Sequence, residues 1–297
     1  MRGLNHKARW AGLTILGGIV AATGLWAAAD GQFGQRFGGR GDRRNFGRET
    51  RGDDDIAPPR RNIFPGNVFT FCTFSYTQVA REARGFGWST DYPDAGYHFM
   101  LRLAEVTTIP IARRPNGEPR QIVLSLTDEA LFDYPYIFSS DVGTMGLDED
   151  ERDALRNYLL RGGFMHVDDF WGDLAWRRWE YEIGQVLPPE EYPIEEVPLS
   201  DPLFHIVFDI KEVPQVPSIR FWSQTGGATS ERGAGSEKPG LYGIRDRTGR
   251  LMVVMTHNTD IADGWEREQL DYGYFEEFSV KKSYPLGINI VVYAMTH

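Results

Sequence analysis

The sequence predicts an α/β domain built on a mostly parallel sheet that is doubly wound, with helices covering both faces. Strand-length apolar runs alternate with amphipathic helical stretches from about residue 62 onward. The first run, Val68–Tyr76, is apolar on both faces, as a central covered strand must be. Each strand-to-helix step then calls for a crossover back to a parallel neighbour.

After that first strand, Pro93–Thr107 reads as a helix with Ala95, Phe99, Leu103 and Val106 on one stripe. Ile122–Leu126 and Tyr134–Ser139 are short strands. Leu147–Arg161 is a helix, with Asp148 as N-cap, Glu151 completing a capping box and Gly162-Gly163 ending it. Phe164–Val167 is a strand that ends in Asp168-Asp169, and Asp173–Leu187 is the helix after it. A Pro-rich stretch runs to about Pro217 and a Gly/Ser-rich loop spans 223–240. Gly240–Arg245 and Arg250–Thr256 form an appended β-hairpin around Asp246-Arg247-Thr248-Gly249. Pro285–Thr296 is a final apolar helix.

The chain carries a formal charge of −10. Residues 1–61 hold 11 basic side chains against 6 acids, so the acidity lies in 62–297. Such a domain repels phosphate backbones, and nucleic acid is not expected as a partner. The one cysteine, Cys72, rules out an internal disulfide, and its strand-like surroundings suit a buried structural thiol.

Ahead of the domain, Arg2, Lys7 and Arg9 precede an uncharged stretch, Trp10–Ala29, that ends Ala27-Ala28-Ala29. Residues 1–29 therefore read as a secretory signal or as a membrane anchor through 10–29. Both place the domain outside the cytoplasm, in the periplasm or an equivalent compartment. Residues 30–61, rich in Gly and Arg, read as a disordered tether, leaving 62–297 as one α/β domain.

In an open parallel sheet, ligands bind beyond the carboxyl ends of the strands. The residues expected there are Tyr76, Ser139-Ser140-Asp141, Asp168-Asp169 with Trp171-Gly172, and His257 with Asp260. Alternation along the strand puts His166 and Asp168 on one face and Asp169 on the other. Two adjacent carboxylates repel unless something offsets them, and the amides opening the next helix are the expected partner. The competing account has one carboxylate capping that helix and the other solvated. Asp91 or Asp94 either reaches the site or caps the helix after Pro93. His257-Asn258-Thr259-Asp260 with Asp263 suits a divalent cation by residue type but lacks a metal-binding spacing pattern. There is no serine-hydrolase elbow and no phosphate-binding loop, and no cofactor can be named from the sequence.

Several of these runs resemble one family. They are Trp88–Ala95, Leu126-Thr127-Asp128 through Leu131–Pro135, Gly162-Gly163-Phe164 to Val167-Asp168-Asp169, His257–Asp260, and Tyr284–Asn289 to Tyr293-Ala294. Together they look like the bacterial domain of unknown function 4159. The resemblance implies a flavodoxin-like fold similar to class I glutamine amidotransferases. It does not imply their activity, because the turn after Val167 carries two aspartates where that chemistry needs a cysteine.

Three functions follow as expectations. The first is a non-catalytic module for an envelope protein or cell-wall ligand, with candidate residues Asp91, Asp168, Asp169, Trp171, Gly172, His257 and Asp260. The second is a hydrolase using Asp168 or Asp169 with His257, with or without a metal. The third is a purely structural exported domain.

Overall fold

The computed structural model describes residues 68–297 except 83, 84 and 233. The signal or anchor read in 1–29 and the tether read in 30–61 lie outside the described residues. Among those described, no helix is long and apolar enough to cross a membrane.

Five parallel strands form the body of the sheet. In chain order they are β1 (Cys72–Ser75), β3 (Ile122–Ser125), β4 (Tyr136–Ser140), β6 (Phe164–Phe170) and β9 (Leu251–His257). In space they run β3-β1-β4-β6-β9, each neighbour parallel to the next. Two antiparallel strands, β8 (Gly240–Arg245) and β7 (Ile194–Glu196), extend the β9 edge. A small antiparallel pair, β2 (Thr77–Gln78) with β5 (Met145–Gly146), lies apart from this sheet. The predicted hairpin is present, and its second strand is also the fifth parallel strand.

Alternation sorts the core into two layers. Phe71, Phe138 and Phe164 pack with Phe99, Met100 and Leu103 of α1 (Asp94–Val106), and with Ile288 and Val291 of the C-terminal helix. On the opposite face, Cys72, Ile137 and Met165 meet α2 (Glu149–Leu160) through Leu155 and Leu159, and α3 (Gly172–Val186) through Trp179 and Ile183. Each layer buries large apolar side chains from sheet and helix together, and this burial is the main favourable term in the fold.

Helix α2 starts as its sequence specifies. The Asp148 side chain accepts from Glu151 N at 2.8 Å, and the Glu151 side chain accepts from Asp148 N at 3.0 Å. Gly162, at φ 104°, ends it in a conformation that costs other residues more. Asp148→Ala should destabilise the domain by about 1 kcal/mol. A lowered urea midpoint with an unchanged slope would show this.

The structure departs from the sequence reading at four places. The first strand is shorter than 68–76, because Phe69 makes only an isolated bridge to Ile111. The Pro-rich stretch supplies β7, whose partner β8 is remote in sequence. Helix α4 (Ile219–Thr225) occupies the start of the expected loop, capped by the Ser218 side chain and closed by Gly226 at φ 71°. After α5 (Asp263–Glu266), the last helix begins early, as α6 (Tyr272–Tyr274). It runs through a nine-residue π-helix, Phe275–Ser283, into α7 (Tyr284–Thr296). A π-helix shifts the hydrogen-bond register without changing the apolar pattern enough to be read beforehand.

Candidate functional site

The strand order places β1 between β3 and β4, so the chain winds one way from β1 and then back across it. The reversal opens a crevice beyond the carboxyl ends of β1 and β4. A cavity of about 10 Å³ lies beneath it, between the sheet face and the start of α1, lined by Phe71, Thr73, Asp91, Gln121 and Ser140 among others. That is room for about one water-sized occupant.

The neighbouring strand tips share one backbone feature. Asp141 follows β4 at φ 54°, Asp169 lies near the end of β6 at φ 52°, and Asn258 follows β9 at φ 59°. Asp and Asn enter this left-handed region more readily than other residues with side chains. The turns interlock: Asp141 N donates to Asp168 O at 3.1 Å and Asn258 N to Phe170 O at 3.1 Å.

The turn at Asp169 corrects the simple alternation. Between Val167 and Phe170, β6 has one residue more than β9 has between Met255 and His257, so the strand bulges. The bulge re-aims Asp169. Carboxylate oxygens of Asp91, Asp169 and Asp260 all lie within 4.8 Å of one another. Asp169 is thus joined to the cluster and not turned to the far side of the sheet.

Each member is held by its own element. Asp91, in the loop before α1, accepts a short hydrogen bond from Ser140 Oγ of β4 and makes no helix-cap bond. Asp260 accepts from Asp263 N at 2.8 Å. Asp169 Oδ1 accepts from Trp171 Nε1 at 2.8 Å, while its Oδ2 has no hydrogen-bond partner among the described residues. Asp168 accepts from Ala262 N at 2.9 Å and, at short range, from Thr256 Oγ1. Behind Thr256, His166 Nε2 lies 3.2 Å from its hydroxyl, and His166 Nδ1 lies 3.0 Å from Tyr136 Oη. Burial lowers His166 to about 3, so the imidazole is neutral at ordinary pH.

The helix amides expected to offset the aspartates are committed elsewhere. Gly172 N donates to Asn258 Oδ1 at 2.8 Å and Asp173 N to Ala234 O at 3.1 Å. Gly172 sits at φ 74°, and a side chain there would come within 2.9 Å of Ala234 O. Glycine there lets Arg232 and Ala234 approach the start of α3.

His257 is not brought to the carboxylates. Its ring packs between Phe170 and Trp176, with centroids at 4.9 and 4.8 Å, and Nε2 lies 3.4 Å from Gly172 O. The carboxylate charge it feels is that of Asp173, and burial pushes it down to about 4.

A second ring of acids surrounds the first. Asp263 accepts from Ile219 N at 2.9 Å and Tyr274 Oη at 3.0 Å, and Glu266 pairs with Arg267 at 2.7 Å. Asp141 accepts from Gly87 N at 2.9 Å, and Glu82 pairs with Arg232 at 2.6 Å. Burial pushes Asp91 up to about 6, Asp263 to about 7, Asp168 to about 8 and Asp141 to about 9. Asp169 and Asp260 are raised well above the usual carboxylate range for the same reason. The positive charges set against this group belong to Arg232 and Arg267.

Sequence reasoning missed Arg232, Thr256 and Glu82 as parts of this site. Arg232 lies in a Gly/Ser-rich loop, where an arginine reads as a solvated linker residue. Thr256 carries a signal: it is a polar residue that follows the apolar run Leu251–Met255 at the carboxyl end of β9. Cys72 is buried on the α2/α3 face, and burial raises its thiol far above the ordinary value. That is the opposite of an activated nucleophile.

No curated protein matches the chain. One family model does, over residues 74–295, and its description is a domain of unknown function.

Proposed function

The chain belongs to that family, DUF4159, and from this premise we propose that it is a non-catalytic binding domain whose acidic sheet crest receives a cationic ligand. The observation that carries this reading is the convergence of Asp91, Asp169 and Asp260, all buried, brought together from the loop before α1, the end of β6 and the loop after β9. Burying carboxylates together is costly unless a positive charge or protons offset them. A binding role explains why the fold holds them there. The hydrolytic alternative pairs Asp168 or Asp169 with His257, and it draws no support from a histidine enclosed by Phe170, Trp176 and Tyr242.

In this reading the domain works outside the cytoplasm, with an envelope protein or a cell-wall component as the source of the cation. The uncharged stretch Trp10–Ala29 after three basic residues supports that placement.

Calorimetric titration with spermidine, and with a cell-wall fragment bearing a free amine, tests the reading. Saturable binding to the full chain, lost in Asp260→Asn, is the expected result. Equal heats from both proteins, or turnover of the fragment, would remove it.

A further inference from the structure

Resting on that cationic-ligand reading, we infer that Asp91, Asp169 and Asp260 form a site for a single hard divalent cation of calcium or manganese type.

The donor set comes first. All three side chains offer carboxylate oxygen, the ligand that hard divalent ions take. Neither nearby histidine competes: His166 is engaged by Tyr136 and Thr256, and His257 lies in its aromatic enclosure. A zinc-type site would need such nitrogen or sulfur donors.

Spacing agrees. Calcium–oxygen distances of about 2.3–2.6 Å put opposite ligands of one ion about 4.6–5.2 Å apart. The three oxygens lie no more than 4.8 Å from one another, so one ion of that size can touch all of them. Of the three, Asp91 also lines the cavity of about 10 Å³, which has room for one water.

An independent observation marks this triad as the ligand set. Asp169 is 1% exposed, and its Oδ2 lacks any hydrogen-bond partner among the described residues. A buried carboxylate oxygen without a donor is costly, and a bound ion would satisfy it. The neighbouring triad, Asp91 with Asp263 and Glu266, is already served by Arg267, Tyr274 Oη and Ile219 N. Arg232 acts on Asp169 through charge, yet its ion pairs go to Glu82 at 2.6 Å and Glu231 at 3.7 Å. The first triad therefore has charge nearby and no donor of its own on Asp169 Oδ2.

The test uses the full chain, stripped with chelator and titrated separately with Ca²⁺, Mn²⁺ and Mg²⁺ by calorimetry, with thermal unfolding followed in parallel. One Ca²⁺ or Mn²⁺ should bind per chain and raise the melting temperature. Asp169→Asn should weaken that binding by about tenfold or more while leaving the metal-free protein folded. Asp209→Asn, an exposed acid away from the cluster, should bind as the parent does. If Asp169→Asn does not fold, Asp260→Asn makes the same comparison. Absence of saturable uptake of Ca²⁺ and Mn²⁺ at millimolar concentration, or unchanged affinity in the triad variants, overturns the assignment. If metals fail while spermidine still binds in a manner that depends on Asp260, the metal site falls and the broader reading stands. If both probes fail, both fall.

Discussion

Trp265→Ala is expected to destabilise the domain by about 3–5 kcal/mol, the cost of truncating a fully buried aromatic. Trp265 is 0% exposed and lies at the junction of three elements. Its ring packs at 4.6 Å from Phe99 of α1, and at 5.9 and 6.3 Å from Phe138 and Phe71. Gly287 allows α7 to close on it, since a side chain there would meet the indole at 2.3 Å. The truncation would open a cavity among α1, α5 and α7 and the sheet, and α5 carries Asp263 and Glu266. Trp265→Phe should cost much less, because Nε1 has no hydrogen-bond partner among the described residues to lose. Urea titration of both variants decides the matter: a loss under about 1 kcal/mol for alanine would contradict the packing described.

Stability without added cation is expected to fall as pH rises from about 6.5 to 9. Burial pushes Asp168 up to about 8 and Asp141 to about 9, the latter with help from neighbouring Glu82. In the unfolded chain both would ionise near the ordinary value of about 3.9. Across the window the native state therefore holds more protons than the unfolded one, and rising pH favours unfolding. Each pKa unit of upward shift that must be reversed corresponds to about 1.4 kcal/mol. His166 and His257, lowered to about 3 and 4, act in the other direction. They are protonated in the unfolded chain only below about 6.5, so they weaken the fold on the acid side and leave the alkaline window to the carboxyls. Melting temperatures at pH 6.5, 7.5, 8.5 and 9 should decline, and Asp141→Asn should flatten the decline. A flat or rising profile in the parent would show that these carboxyls are ionised in the native state.

The sequence was most informative where local rules coincide with tertiary ones. Asp148 and Glu151 announced a helix start, Asp246 through Gly249 a hairpin turn, and the apolar runs the covered strands. Asp168 and Asp169 stood out because two carboxylates at the end of an apolar run conflict with burial. What they do with their side chains was not legible, since a single inserted residue in β6 decides it. Period-two reasoning assumes that no such insertion exists, and nothing in the run His166–Phe170 marks one. Asp91 and Asp260 are 169 positions apart in the chain, so only the winding order brings them together. The helix opening at Gly172 misleads: its amides look free in the sequence, yet the Asn258 side chain and the Ala234 carbonyl claim them.

The left-handed steps at Asp141, Asp169 and Asn258 carry one more consequence. Such a step belongs to the main chain, and glycine takes it with less strain than any residue bearing a side chain. Among the described residues the Asp169 side chain takes part in one hydrogen bond, accepted from Trp171. Asp169→Gly should therefore keep the main-chain path of the crest and remove one carboxyl group from it. With that blank beside the parent, recognition by shape and recognition by electrostatics become separable quantities.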